Sequence, residues 1–251
     1  MKLYIANISY GDDPQHSWAM RALVLRLTAL GIPFIDAQPF WDSLIPRGRN
    51  RAAHAFLKSD ATHLLSIDAD VIFKPHDVER LISSGLDFVG VPYPVKANGV
   101  TPNFIGVARP GGIRDREGFV EAQDVGTGFL LLSRRVFERL EPYAAKYASD
   151  LIGSPSEKCV EYYGVGVHDG EREDSQYLSE DWWISRAYTA TGGICYLDGE
   201  AKLGHVGRCV WQMGDTLNAA LDRDKVQMYE AEKPGAFDAL NRKIMQGKIG
   251  G

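Results

Sequence analysis

Residues 62–73 read Thr62-His63-Leu64-Leu65-Ser66-Ile67-Asp68-Ala69-Asp70-Val71-Ile72-Phe73. The stretch opens as a short apolar run with turn-forming flanks, the pattern of a buried strand. It runs into two aspartates separated by one residue. In an extended backbone, positions i and i+2 point the same way, so Asp68 and Asp70 are expected to stand side by side as the strand leaves its sheet. Two adjacent carboxylates both ionise comfortably only with a cation between them. Hard oxygen ligands suit magnesium or manganese, ions that also bind phosphates. The carboxyl edge of a parallel sheet is where open α/β folds bind ligands. The plainer alternative is a capped strand end carrying two solvated acids.

Outward from this stretch, strand-like and helix-like segments alternate. Residues 3–8 read as a first strand, Gly11-Asp12-Asp13-Pro14 as a turn, and residues 18–30 as a helix. Met20, Leu23, Val24, Leu27 and Leu30 fall at helical spacing there, and Gly31 stops the helix. Residues 32–35 form a second strand. Arg47-Gly48-Arg49-Asn50-Arg51 then opens a helix reaching about Lys58. Three arginines at a helix start oppose the helix dipole and invite an anion, unless they form a solvated basic turn.

Beyond the aspartates, residues 75–84 read as a helix and 87–91 as a strand, with residues 92–102 as a loop near the ligand. Residues 104–108 and 119–122 are strand candidates around Gly111-Gly112. Asp124-Val125-Gly126-Thr127-Gly128 leads into the apolar strand Phe129-Leu130-Leu131-Leu132. Gly126 and Gly128 would let the backbone approach a ligand closely, or would form a bulge or tight turn. Residues 133–147 read as a helix, and the run 169–174 as a solvated charged loop. Ser179 caps a helix with Glu180 and Asp181 in its first turn, ending near Gly192-Gly193. Residues 194–197 form a last core strand, followed by Leu203-Gly204-His205-Val206-Gly207. Residues 208–251 read as a helical extension, with a helix over about 216–230. Alternation through the first half predicts a parallel sheet, and the less regular second half makes it mixed.

The 251 residues carry a net charge of -5, with 45% hydrophobic and 24% charged residues. That balance allows a sizeable core and gives no electrostatic case for nucleic acid or an anionic membrane. Cys159, Cys195 and Cys209 form an odd, widely spaced set, expected to be reduced thiols in a cytoplasmic protein. The opening Met1-Lys2-Leu3-Tyr4-Ile5-Ala6-Asn7 enters a strand directly, without the pattern of a signal peptide. No apolar run approaches the ~20 residues that span a bilayer.

In order along the chain, four segments resemble nucleotide-sugar-dependent glycosyltransferases of the GT-A fold. They are Arg49-Asn50, Ser66-Ile67-Asp68-Ala69-Asp70, the Gly-rich run from Asp124 to Leu132 with the basic helix start after it, and Ser179-Glu180-Asp181-Trp182. The resemblance covers roughly residues 2–207 and implies a single catalytic domain over 1–207, with a mixed, mostly parallel sheet flanked by helices. It implies a nucleotide-sugar donor near Arg49, Asn50, Asp68, Gly126 and Gly128, and a carbohydrate or glycan acceptor. It implies Mn2+ or Mg2+ on Asp70, with Asp68 assisting through ribose or water and His205 as a late ligand. It makes Asp181 the general base of an inverting reaction, with Glu180 beside it in the acidic helix start that faces the acceptor. His205 is otherwise an ordinary half-buried histidine between two glycines. The rival readings are a haloacid-dehalogenase-type phosphatase built on the Asp-x-Asp strand, a nucleotidyltransferase, and a non-enzymatic carbohydrate-binding module using Trp41, Trp182, Trp183 and Trp211.

Overall fold

The computed structural model describes residues 1–9, 11, 13–37, 40–96, 104–148, 157–168, 176–207 and 210–212. Four expectations lie outside those residues: the charged loop 169–174, the helix 216–230, the end of the 92–102 loop, and Cys209.

The first half runs β1 (Leu3–Ser9), α1 (Pro14–Ala29), β2 (Phe34–Asp36), β3 (Phe40–Trp41), α2 (Ile45–Lys58), β4 (His63–Asp68), β5 (Val71–Ile72), α3 (Pro75–Ser84), β6 (Phe88–Gly90) and β7 (Tyr93–Pro94). The second half runs β8 (Phe104–Ile105), β9 (Val107–Ala108), β10 (Phe119–Asp124), β11 (Phe129–Ser133) and α4 (Arg134–Leu140). Two short hairpins follow, β12 (Lys146–Ala148) with β13 (Lys158–Val160), and β14 (Gly166–His168) with β15 (Gln176–Leu178). The chain then forms α5 (Glu180–Ala190), β16 (Cys195–Asp198), β17 (Gly204–Val206) and β18 (Val210–Gln212).

Among the described residues the main sheet has nine strands in the order β2-β1-β4-β11-β6-β16-β10-β9, with β3 also on β1. β1 pairs in parallel with β2, β3 and β4, and β6 pairs in parallel with β16, whereas β11 runs antiparallel to β4 and β6. β10 also runs antiparallel to β16 and β9. This is the mixed α/β sheet flanked by helices that the sequence predicts, but among the described residues its parallel and antiparallel pairings are equal in number rather than mostly parallel.

Strand alternation divides the core into two layers. Leu3 and Ile5 of β1, Leu65 and Ile67 of β4, and Leu131 of β11 pack with Leu23 and Leu27 of α1 and Val78 and Leu81 of α3. Tyr4 and Ala6, Leu64, and Leu130 and Leu132 face the other way, onto Phe56 of α2, Phe137 of α4, and Ile184 and Tyr188 of α5. Ser66 and Asp68 share the parity of Leu64, so they face the α2 side.

Three boundaries differ from the sequence reading. α1 starts at Pro14 rather than near Trp18, because Asp13 Oδ1 accepts from the amides of Gln15 at 2.8 Å and His16 at 3.3 Å. Asp-Pro is therefore an N-cap with proline at the first helical position, not a free turn. α4 ends at Leu140 and passes into a 3₁₀ turn over Glu141–Tyr143, since Pro142 cannot continue the helical hydrogen bonding. The third bears on the aspartates: β4 ends at Asp68, and Asp70 lies in the turn leading to β5, which joins a separate small sheet with β17 and β18. Asp68 and Asp70 thus do not continue one extended strand, and the i, i+2 argument fails at the residue where it mattered.

Candidate active site

The carboxyl ends of β1, β4 and β6 and the amino end of β11 lie along one edge of the sheet, and the predicted residues converge there. Asp68 is turned toward α2. Arg49 of α2, only 4% exposed, donates from Nη2 to Asp68 Oδ2 at 2.9 Å and from Nε to Glu180 Oε1 at 3.3 Å. Its Nη1 reaches Ser66 Oγ and the Thr127 carbonyl, each at 3.3 Å. Burial works against the guanidinium charge, but Asp68 first and Glu180 next outweigh it and hold the Arg49 pKa above its ordinary value. Arg49 therefore clamps the end of the Asp-x-Asp strand to the start of α5, itself reaching Glu180 across 131 residues of sequence. The guanidinium expected at a donor's phosphates is directed inward, at the protein's own acids.

The other two arginines of the helix start also find internal anions. Arg47 forks onto Asp42 with two 2.8 Å bonds, and Arg51 approaches it at 3.5 Å. Asp42 Oδ1 also accepts from the Leu44 amide at 3.0 Å. The Arg47 contacts, then burial working against them, leave the Asp42 pKa lowered. The anion that the basic helix start invites is thus a buried aspartate just before it. Asn50 differs from its expected donor role in the same way: its side chain bonds both the carbonyl (3.1 Å) and the amide (2.9 Å) of Tyr163, fixing that segment against α2.

Tyr93, in β7, fills the space between the Gly-rich run and the aspartates. A Cβ on Gly128 would lie 2.7 Å from Tyr93 Cζ and Oη and 3.1 Å from Asp68 Oδ2, and one on Gly126 would lie 2.7 Å from Ile105 Cγ2. The Gly128 amide donates to Tyr93 Oη at 3.2 Å. These glycines admit a close neighbour, as their type suggests, and in the structure that neighbour is Tyr93. Burial first, then the Asp68 charge, raises the Tyr93 pKa, so its hydroxyl stays protonated.

Asp70 faces a different set. Its Oδ1 lies 3.4 Å from His205 Nε2, and Lys96 Nζ contacts its Oδ2. Burial favours a raised Asp70 pKa, but hydrogen bonds from His205 and then Lys96 overcome it and lower the value to about 2. His205 is itself positioned: its Nδ1 lies 2.7 Å from the Pro94 carbonyl, and its ring meets Tyr93 edge-on at 5.1 Å. A carbonyl only accepts, so Nδ1 carries a proton, and Nε2 is the ring nitrogen turned to Asp70. That is the orientation a metal-binding histidine adopts when its other nitrogen donates to a backbone carbonyl. Asp70's own carbonyl accepts from the Val206 amide at 2.7 Å, locking β17 beside the turn.

The residues fit a divalent cation as a two-point site. Among the described residues no three histidine, cysteine or carboxylate side chains gather closely enough to enclose a metal. Asp70 and His205 do converge, and magnesium or manganese commonly takes one or two protein ligands and completes its shell with phosphate and water. One more oxygen lies unengaged in the neighbourhood: Asp68 Oδ1 is buried and has no hydrogen-bond partner among the described residues.

At the start of α5, Glu180 is drawn to Arg49, while Asp181 stays on its own helix. Asp181 Oδ1 accepts from the Trp182 amide at 2.9 Å and from the Ser179 hydroxyl. Ser179 is the N-cap by position, but its hydroxyl donates to Asp181 and does not accept from the helix amides. Adjacent helical residues diverge by about 100°, which separates the two acids. The sequence reading missed Tyr93, Pro94 and Lys96 individually, although it placed their loop near the ligand. The available signal was a tyrosine and a lysine just past the carboxyl end of β6.

No family model matches the chain, and no curated protein matches it. Among solved structures it is similar to A197 from STIV, with a TM-score of 0.47, 15% identity, and coverage of 85% of this chain and 94% of that one. It is similar to GalNAc-T7, solved with UDP, GalNAc and Mn2+, with a TM-score of 0.46 and 11% identity; 99% of this chain matches 55% of that one. A glycosyltransferase involved in the glycosylation of the major capsid of PBCV-1 matches with a TM-score of 0.30 and 12% identity, over 55% of this chain and 62% of that one. The chain thus spans about half the length of GalNAc-T7. No helix among the described residues is long and apolar enough to cross a membrane.

Proposed function

We propose that this protein is a metal-dependent glycosyltransferase that moves a sugar from a nucleoside-diphosphate donor to a carbohydrate hydroxyl, with residues 1–207 as the catalytic domain. The observation that carries this reading is the Asp70–His205 pair: Pro94 holds the imidazole by Nδ1 so that Nε2 faces a carboxylate oxygen 3.4 Å away, two ligand atoms that could share one cation. Asp70 and His205 would hold Mn2+ or Mg2+. When bound, the ion would supply Lewis-acid neutralisation of the diphosphate leaving group. Asp68, steadied on Oδ2 by Arg49, keeps Oδ1 for a donor hydroxyl or a water. Arg49 contributes by holding Asp68 and Glu180 in fixed relation.

Asp181 is the proton acceptor for the incoming hydroxyl, oriented by the Ser179 hydroxyl and the Trp182 amide. Transfer with Asp181 as general base inverts the anomeric centre.

The test is release of nucleoside diphosphate from a panel of nucleotide-sugars with Mn2+ and a carbohydrate acceptor. Activity abolished by chelation and restored by Mn2+ is expected, with an inverted product. Asp181→Asn should lower kcat roughly 10²–10⁴-fold with melting temperature and donor binding nearly intact. No metal-dependent release across the panel would overturn the reading, and a retained configuration would remove Asp181 from it.

A further inference from the structure

The Asp70 carboxylate takes a different basic group on each oxygen, His205 on Oδ1 and Lys96 on Oδ2. Both arrangements depend on β7 and the residues just after it, since Pro94 orients His205 and Lys96 follows two residues later. The lysine contact is half in solvent, with side-chain exposures of 33% for Lys96 and 41% for Asp70. An ion pair this exposed contributes little to stability and is easily exchanged. Lysine is moreover a compact point charge on a flexible stem, able to move while keeping its charge.

A divalent ion on Asp70 and His205 would sit beside that ammonium and repel it. The same ion would bring diphosphate oxygens to the spot, and lysine is a ready phosphate partner.

We infer that Lys96 is a diphosphate-binding residue that occupies Asp70 as a substitute cation while the site is empty and transfers to the diphosphate when metal and nucleotide enter together. The inference rests on the metal site proposed above and adds to it a residue outside the resemblance. Lys96 opposes metal binding alone and favours metal binding with a diphosphate. Removing it therefore moves the two affinities in opposite directions and weakens the reciprocal coupling between the two ligands. An ion pair with a purely structural role cannot produce that opposition, since its loss loosens Asp70 for every ligand.

The experiment compares wild type, Lys96→Met and Lys96→Arg. Free Mn2+ is followed by electron paramagnetic resonance in a titration with the metal alone. Calorimetry then follows inorganic pyrophosphate at saturating Mn2+, a probe that needs no knowledge of the base or sugar. The expected result is that Lys96→Met binds Mn2+ alone several-fold more tightly and pyrophosphate about tenfold more weakly, an ordinary figure for one lost charged hydrogen bond. Lys96→Arg should stay near wild type on both counts. Mn2+ uptake by wild type that Lys96→Met leaves unchanged or weakens overturns the inference while the metal site stands. Unchanged pyrophosphate binding in Lys96→Met also overturns it. No Mn2+ uptake by wild type overturns the metal site and the inference together. Melting curves of the three proteins, expected to coincide, exclude misfolding as the cause.

Discussion

Asp124 and Asp68 each end a strand of the main sheet, and each meets an arginine from a helix on the same face, yet the two pairs are built differently. Arg186 of α5 forks onto Asp124 with bonds of 2.8 and 3.0 Å, and the side chains are 4% and 1% exposed. Burial pushes the Asp124 pKa up, and the Arg186 bonds oppose it. Arg49 gives Asp68 one bond of 2.9 Å and divides its other donors among Glu180, Ser66 and Thr127. Asp68 is left 23% exposed, with Oδ1 unpartnered among the described residues. The first pair is satisfied from within and fastens α5 to the sheet. The second is left open at the sheet edge, with one carboxylate oxygen unpartnered among the described residues.

That contrast can be broken most sharply at the closed pair. Asp124→Ala strands a buried guanidinium and is expected to cost about 3–5 kcal/mol of folding stability, read as a lowered urea midpoint. Replacing both partners with apolar residues, as in Asp124→Leu with Arg186→Met, should recover most of the loss. A single variant as stable as wild type would erase the distinction.

At the open pair, Arg49→Ala leaves Asp68 and Glu180 without their shared cation and should lose about 2–3 kcal/mol of stability, in the range of broken charged hydrogen bonds. Donor KM is the sharper readout. If stability falls with KM unchanged, Arg49 only braces the fold. If KM rises by the equivalent of about 1–3 kcal/mol, the clamp also sets the donor-binding geometry of Asp68.

A smaller effect is expected at Gly128. The added methyl of Gly128→Ala meets the buried Tyr93 ring at 2.7 Å and Asp68 Oδ2 at 3.1 Å. Overpacking of this kind costs about 1–3 kcal/mol, and Gly128→Ala with Tyr93→Leu should recover part of it. Failure of that rescue in melting experiments would mean that Tyr93 is not what the glycine accommodates.

The smallest effect concerns Asp70. Its folded pKa, about 2, lies below the ordinary 3.8, so its stabilising contribution is present above pH 4 and is lost as pH falls toward 2. The Asp70 side chain is 41% exposed, and solvent screening keeps the contribution below about 1 kcal/mol. The difference in urea midpoint between wild type and Asp70→Asn should shrink across that window. A difference that grows on acidification would contradict the assignment of His205 and Lys96 as its partners.

The sequence by itself determined the strand-helix alternation, the strand that delivers Asp68, and part of the group that meets at the sheet edge, with Tyr93, Pro94 and Lys96 added only by the structure. Apolar periodicity reports which face a segment buries, because burial follows the backbone repeat. It also showed that the start of α2 carries too much positive charge. Where that charge goes was decided only by the tertiary structure. Asp42, Asp68 and Glu180 answer Arg47 and Arg49 through side-chain directions and loop paths that no periodicity encodes. The same holds for Asp68 and Asp70. Their spacing implied one shared face, but the strand stops at Asp68, and packing of the β5 turn against β17 sends Asp70 to His205 and Lys96. Local sequence sets the propensity of a strand to begin, whereas its last residue is set by what the neighbouring strands leave to pair with.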